Sequence, residues 1–120
     1  MNENITPINI HVDKASATIQ FEWSTGDTLE VPLALLRNAC PCAECRGGHG
    51  NMVNNPDSSM FQLRKMSEAA TTAAHLELSG NYALNVTWQD GHSGGIYNWT
   101  YLWQLCQLNL VTEVKPYTEN

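Results

Sequence analysis

The sequence has few basic residues and no long apolar run. Its 120 residues include six lysines and arginines but twelve aspartates and glutamates, which gives a formal net charge of −6. Because acidic proteins repel phosphate backbones, the composition argues against nucleic-acid binding. No stretch approaches the roughly 20 apolar residues of a membrane-spanning helix, and the first ten residues lack the pattern of a secretory signal. We therefore expect a cytoplasmic protein that binds neither membranes nor nucleic acids.

The chain is too short for the larger enzyme folds. Its 120 residues suit one domain with one modest core, and not a TIM barrel or a dinucleotide-binding enzyme with a substrate domain. Hydrophobic residues form 42% of the chain and charged residues 15%, which is typical of a globular domain. No nucleophile–base pair or phosphate-binding glycine loop is recognisable. We expect no catalytic activity, and we interpret Asp90, the best candidate for a general base, as a turn residue.

Two similar segments organise the predicted fold. Each contains a β-rich stretch that ends in tryptophan, a glycine turn, a short strand, a helix and a cysteine. The first includes Ala17–Trp23 and Cys40, and the second includes Tyr82–Trp88 and Cys106. Because neither unit buries its apolar face alone, we expect the two strand-turn-strand-helix units to share one core. The predicted fold class is α+β, with small antiparallel β-sheets.

Local patterns predict the remaining elements. Further strands are predicted at Ile8–Val12, Thr28–Val31, Thr71–Leu78 and Ile96–Tyr97, helices at Leu33–Asn38 and Asn98–Leu110, a weak helix at Phe61–Glu68, and a loop at Arg46–Met60. The single domain is predicted to span residues 8–112. It lies between a frayed N-terminus at residues 1–7 and a flexible tail at residues 113–120.

Three cysteines within six positions are the most specific feature of the sequence. Cys40, Cys42 and Cys45 are expected to be reduced in the cytoplasm, and closely spaced reduced cysteines are typical of metal sites. Thiolates bind Zn²⁺ in tetrahedral sites with four ligands. The fourth ligand is left open by the residues themselves, because His49 is nearest in sequence while His92 lies in the turn of the second unit.

Other potential ligands have simpler interpretations. His11–Asp13 contains two members of an iron facial triad, but the chain has no room for the rest of such a fold. His75 lies in a predicted strand, and Cys106 lies on an apolar helix face, where a buried structural role is expected. Arg37 and Arg46 flank the cysteines, and we expect them to offset the negative charge of a thiolate site.

Several segments of the sequence resemble the gamma-butyrobetaine hydroxylase-like N-terminal domain family. The matching segments are Leu36–Cys45, Gly80–Leu84 and Trp88–Tyr97. The resemblance extends over residues 8–110, and free-standing bacterial members of the family look like this chain. In the eukaryotic hydroxylases of carnitine synthesis, a similar domain precedes the catalytic barrel and binds a structural zinc ion through three cysteines and one histidine.

The resemblance implies a ligand set and a function. The family's zinc ligands match Cys40, Cys42, Cys45 and His92, although the long, glycine-rich loop keeps His49 as an alternative. The implied function is a non-catalytic protein-interaction module with structural zinc, in which four protein ligands leave no position for substrate. The alternative is an iron or iron–sulfur carrier or assembly protein, because a similar domain follows a P-loop ATPase in a chloroplast iron–sulfur carrier.

The last predicted helix has two apolar arcs. On a helical wheel of ~100° per residue, the arc expected to face the core consists of Trp99, Leu102, Trp103, Cys106 and Leu110. The second arc consists of Tyr101, Leu105 and Leu108. It is expected to contact either other parts of the chain or another molecule, which would be a protein partner or a second copy in a homodimer.

Overall fold

Two three-stranded antiparallel sheets, each followed by a helix, form the fold of the computed structural model, which describes residues 5–41, 55–93 and 95–117. The first unit contains strands β1 (Pro7–Asp13), β2 (Thr18–Trp23) and β3 (Thr28–Pro32) and helix α1 (Leu33–Asn38). The second contains strands β4 (Ala73–Ser79), β5 (Ala83–Trp88) and β6 (Gly95–Asn98) and helix α2 (Trp99–Val111). The predicted α+β class with small antiparallel sheets is confirmed, but each unit contains three strands.

The central strand of each sheet carries the core residues. In β2, Ile19, Phe21 and Trp23 are buried while the intervening Gln20 and Glu22 are exposed. This alternation is expected for a sheet with one face against the core and the other in solvent. Strand β5 buries its own set at the same spacing and also ends in a buried tryptophan. The two similar tryptophan-containing segments therefore occupy corresponding places in the two units.

A tight turn connects β2 to β3. The backbone N–H of Trp23 donates to the carbonyl oxygen of Asp27 at 2.8 Å, and the N–H of Gly26 donates to the carbonyl oxygen of Trp23 at 2.9 Å. Gly26 has a φ of +97°, a conformation that glycine adopts without steric cost. The glycine of the predicted turn is therefore required by the backbone conformation.

The two units share one core. Helix α2 contacts β3 of the first unit as well as β6 of its own unit. Trp103 of α2 packs edge-on against Trp23 of β2, with ring centroids 5.2 Å apart. The hydroxyl of Tyr97, in β6, donates to the carbonyl oxygen of Leu36, in α1, at 2.7 Å. Because each helix contacts the other unit, the two units together form one domain.

Helix α2 is buried on a wider face than the wheel predicted. Its buried residues are Tyr101, Leu102, Leu105 and Cys106. Of the two alternatives for the second arc, contact with other parts of the chain is confirmed for Tyr101 and Leu105, whose exposed fractions are 1% and 0%, and the alternative that these two residues contact a partner is wrong. Leu108 is half-buried, and Leu110, predicted to face the core, is 63% exposed. A helix that contacts both units has apolar neighbours around more of its circumference than a helix on one sheet.

Residues 55–72 connect the two units without the weak helix predicted over Phe61–Glu68. Only two short 3₁₀ turns form in this connection, at Ser58–Phe61 and Ala69–Thr71. Between them, the carbonyl oxygen of Gln62 accepts from the side-chain amide of Asn38 at 3.1 Å, and the N–H of Leu63 donates to the carbonyl oxygen of Lys115 at 2.9 Å. The predicted loop at Arg46–Met60 lies outside the described residues up to residue 54. No helix in the described ranges is long and apolar enough to span a membrane.

Both chain ends make contacts beyond the predicted domain limits of residues 8 and 112. The backbone N–H of Thr6 donates to the Ser24 hydroxyl at 3.1 Å, and β1 begins at Pro7. Near the other end, the N–H of Lys115 donates to the carbonyl oxygen of Phe61 at 2.8 Å. The backbone groups at both ends therefore find partners within the fold. The outermost residues of the predicted frayed ends, 1–4 and 118–120, lie outside the described residues.

Candidate metal centre

Cys40, the first predicted metal ligand, is held at the end of helix α1. Its backbone N–H donates to the carbonyl oxygen of Arg37 at 3.1 Å, and the preceding Ala39 N–H donates to that of Leu35 at 2.9 Å. The hydroxyl of Tyr101 donates to the Ala39 carbonyl at 2.6 Å. Cys40 has an exposed fraction of 0%. The helix end and α2 therefore fix the backbone that carries this buried thiol.

His92, a predicted fourth ligand, lies in the turn between β5 and β6. The backbone N–H of Trp88 donates to the carbonyl oxygen of His92, and the N–H of Gly91 donates to that of Trp88, both at 2.9 Å. Gly91 has a φ of +95°, close to the +97° of Gly26. The side chain of Asp90 accepts the N–H of His92 at 3.0 Å. The β5–β6 turn therefore has the same hydrogen bonds as the β2–β3 turn. The last residue of the β5–β6 turn is the half-buried His92.

The fold brings Cys40 and His92 together although they are 52 positions apart. The Sγ atom of Cys40 lies 3.5 Å from Nε2 of His92. In a tetrahedral zinc site, a sulfur ligand and a nitrogen ligand are about 3.5 Å apart, given the usual zinc–sulfur and zinc–nitrogen distances. The observed pair therefore fits two corners of such a site. We find no cluster of three or more His, Cys, Asp or Glu side chains among the described residues.

The remaining predicted ligands stay predictions. Cys42, Cys45 and the alternative ligand His49 all lie outside the described residues, as does Arg46, which was expected to offset thiolate charge. Of the predicted set, only Cys40 and His92 have described positions, and those positions are adjacent. The full ligand set is therefore neither assembled nor excluded by the described residues.

The other potential ligands lie in different environments. His11 and His75 are exposed on β1 and β4. Cys106 is buried in α2, and burial raises the pKa of its thiol to about 12, while the Trp23 side chain lowers it to a smaller extent. A buried cysteine whose thiol pKa is raised is typical of a structural role.

Asp90 pairs with Arg37 in the structure. The Nη1 atom of Arg37 lies 3.1 Å from both carboxylate oxygens of Asp90. The pKa of the Asp90 carboxyl is lowered from its ordinary value, mainly by the hydrogen bond from the backbone N–H of His92 and further by Arg37. A carboxylate with a lowered pKa is a weaker general base. The carboxylate therefore has contacts expected of a structural residue in a turn.

Gly95 is a site residue that the sequence analysis missed. A Cβ atom at this position would lie 2.8 Å from the Cys40 sulfur and 3.1 Å from the ring of Tyr97. The signal in the sequence was Gly95 itself, the second of two consecutive glycines before the predicted strand Ile96–Tyr97. A simple hairpin does not need this second glycine. Gly95 thus provides the space in which the Cys40 thiol lies.

We expect Gly95→Ala to lower both stability and metal retention. The added methyl would overlap the Cys40 sulfur, and overpacking of this kind costs typically about 1–3 kcal/mol. Urea unfolding and elemental analysis measure the two effects. Ile96→Val, on the exposed side of the same strand, is the matched control and should change neither quantity. Wild-type stability and metal content in Gly95→Ala would show that the contact is unimportant.

The described residues define a small α+β domain of two three-stranded units, with a cysteine and a histidine from different units in contact. The chain belongs to the family described as "Gamma-butyrobetaine hydroxylase-like, N-terminal", whose model matches residues 10–103. This confirms the resemblance that the sequence segments indicated. No curated protein matches the sequence.

The solved structures that are similar to the chain include the following three. One is a protein of unknown function in the DUF971 family from Acidithiobacillus ferrooxidans, with 24% identity, a TM-score of 0.62, and coverage of 83% of this chain and 91% of that chain. An NMR structure has 22% identity, a TM-score of 0.65, and coverage of 89% and 73%. Another NMR structure has 24% identity, a TM-score of 0.57, and coverage of 95% and 93%. At these identities, the similarity supports the fold alone.

Proposed function

We propose that the protein is a non-catalytic zinc-binding module that takes part in protein–protein interaction in the cytoplasm. Its zinc would be held by Cys40, Cys42, Cys45 and His92. The observation that supports the site is the 3.5 Å distance between Cys40 Sγ and His92 Nε2, which fits two ligands of one tetrahedral ion. With four protein ligands, the ion has no open position, so its role is structural.

The proposed zinc would connect the two units of the fold. Cys40 follows helix α1 of the first unit, whereas His92 lies in the β5–β6 turn of the second. A small domain gains stability from such a link, because the metal binds the folded chain and not the unfolded one. The chain holds the Cys40 backbone at the helix end and the His92 backbone in the turn, so that little conformational entropy is lost on binding.

The interaction part of the proposal relies on the family resemblance and on the exposed apolar residues. In the resembling hydroxylases, the equivalent domain adjoins a catalytic barrel. Tyr101 and Leu105 are buried and cannot contact a partner. The large apolar residues exposed on α2 are Leu110 and Val111, with exposed fractions of 63% and 83%. Together with Leu108, the half-buried member of the predicted arc, these two side chains are the candidates on this helix for contact with a partner.

Elemental analysis and a visible spectrum of protein purified without oxygen or chelators test the metal site. We expect one zinc per chain and a colourless solution. Cys40→Ser and His92→Ala should each lose zinc, because each removes one ligand. His75→Ala is the matched control, since His75 is exposed on β4, and it should retain one zinc.

Three other outcomes would change the proposal. Zinc that is lost in His49→Ala but kept in His92→Ala would make His49 the fourth ligand. Visible absorbance with bound iron would support the alternative of an iron–sulfur carrier. Wild-type protein that is folded but contains no metal would contradict the proposal altogether.

A further inference from the structure

We propose that Arg37 and Asp90 are positioning residues that hold His92 at its contact distance from Cys40. The inference depends on the zinc site proposed above and adds a role for two residues that would not touch the metal. It is based on their ion pair, on the contacts that fix Arg37, and on a comparison with the corresponding turn of the first unit.

The ion pair connects the segments that carry the two ligands. Arg37 lies in the last turn of α1, and its carbonyl oxygen accepts the backbone N–H of Cys40 at 3.1 Å. Asp90 lies two positions before His92, and its side chain accepts the His92 N–H at 3.0 Å. Through the Arg37–Asp90 pair at 3.1 Å, the helix end that precedes Cys40 is therefore joined to the turn that contains His92.

Arg37 is fixed by more than its carboxylate partner. Its Nη1 atom also donates to the carbonyl oxygen of Ala70 at 2.9 Å, and its guanidinium group lies 5.8 Å from the ring centroid of Trp88. The side chains of Arg37 and Asp90 are only 13% and 30% exposed. Isolated surface ion pairs contribute little because both side chains lose mobility on pairing. Here, the carbonyl and the aromatic ring already restrict the arginine, so the pair can hold the turn in place.

The first unit shows that the backbone N–H in this turn does not need a carboxylate as its acceptor, although the Thr25 hydroxyl there also donates to the Asp27 carboxylate at 2.7 Å. There, the N–H of Asp27 donates to the hydroxyl oxygen of Thr25 at 3.3 Å, just as the N–H of His92 donates to Asp90. A neutral threonine therefore satisfies the same backbone group in the same turn. Since the backbone contact is common to both turns, the charge of Asp90 has a different use, which is its pairing with Arg37.

The position of Arg37 also has an uncharged counterpart. Arg37 lies three positions before Cys40, and Trp103 lies three positions before Cys106. Trp103 packs on Trp23, as Arg37 packs on the tryptophan that ends β5. Packing at this place can thus be provided by an aromatic side chain. The charged pair occurs at the contact between α1 and the β5–β6 turn, where Cys40 meets His92, which associates the charge with the ligands and not with the fold in general.

Asp90→Thr is the most specific test, because it copies the solution found at Thr25. The variant should keep the hydrogen bond to the His92 N–H and lose the pairing with Arg37. We expect it to fold and to bind one zinc per chain, but to lose roughly 10–100-fold in zinc affinity, the range found when residues that orient metal ligands are altered, and therefore to release zinc faster to a chromogenic chelator. After Co²⁺ replaces zinc, the visible spectrum of Asp90→Thr should differ from that of the wild-type protein, because the imidazole of His92 is no longer held in one orientation.

Arg37→Gln should act through the same contact. It should accelerate zinc release to a similar extent, and Arg37→Gln combined with Asp90→Thr should be no faster than either single variant, because both remove one interaction. Additive effects would contradict a shared role. Asp90→Asn provides a second, isosteric variant in case the threonine variant does not fold.

Thr25→Ala is the matched control, because it removes the corresponding hydrogen bond in the other turn. It should lower stability to a small extent and leave the release rate and the Co²⁺ spectrum unchanged. Wild-type release in Asp90→Thr, or equally fast release in Thr25→Ala, would show that Arg37 and Asp90 serve the fold alone. If wild-type protein binds no zinc, the proposed function fails as well. If wild-type protein binds zinc and Asp90→Thr behaves identically, only the positioning role fails.

Discussion

A Leu105→Glu variant is expected to be unfolded or insoluble at neutral pH. Leu105 has an exposed fraction of 0% and belongs to the core shared by both units. The substitution removes apolar packing worth about 2–5 kcal/mol and introduces a carboxylate without a partner, which adds a further desolvation cost. Since small domains are stable by only about 5–15 kcal/mol, the sum is a large part of the total. Circular dichroism and gel filtration measure the loss of the folded state.

Two further substitutions on helix α2 test whether the loss of stability depends on the burial of the substituted residue. Leu110→Glu should fold normally, because Leu110 is 63% exposed and exposed positions usually change stability by less than about 0.5 kcal/mol. Leu108→Glu should have an intermediate effect, since Leu108 is half-buried. A folded Leu105→Glu protein that has lost self-association or a partner would support the alternative that the second arc is an interface.

Asn38→Ala is expected to destabilise the fold by about 2–5 kcal/mol, because several backbone groups would lose buried partners. The Nδ2 atom of Asn38 donates to the carbonyl oxygens of Met60 at 2.6 Å and Gln62 at 3.1 Å. Its Oδ1 atom accepts from the backbone N–H of Arg64 at 3.2 Å and from Nε of Arg64 at 2.8 Å. Asn38 is only 3% exposed, so water cannot readily replace these contacts.

Urea unfolding measures the effect against a second asparagine. Asn109→Ala removes one hydrogen bond, from Nδ2 to the carbonyl oxygen of Glu30 at 3.1 Å, in an exposed setting. It should therefore cost about 1 kcal/mol or less. Equal effects of the two alanine variants would show that the connection after residue 55 is held by other contacts, such as its pairing with Lys115.

The sequence alone was sufficient where structure depends on neighbours along the chain. Segments rich in β-branched and aromatic residues, each followed by a turn signal, predicted the tryptophan-ended strands. Asn98, predicted to begin the last helix, is its N-cap, with its side chain accepting the N–H of Tyr101 at 2.8 Å. Gly26 and Gly91 marked turns whose positive φ requires glycine. Each of these features is decided within a few residues.

The candidate site was predicted only in part. The cysteine spacing and the family resemblance nominated Cys40 and His92, which lie in contact, but the residues alone did not distinguish His92 from His49. Arg37 was expected to offset thiolate charge, whereas its described partners are Asp90 and the Ala70 carbonyl. These contacts of Arg37 depend on which turn lies next to helix α1 in the folded chain, which the spacing of residues in the sequence does not predict.

The sequence by itself determined the family, the α+β class, the repeated strand and turn pattern, and the residue types suited to a zinc site. Only the tertiary structure decided which face of α2 is buried, that Asn38 orders the connection to the second unit, and that Gly95 leaves space for the Cys40 sulfur. The physical reason is the range of the interactions. Periodicity and turn chemistry act between near neighbours, whereas burial and ligand contact depend on how the two units pack against each other.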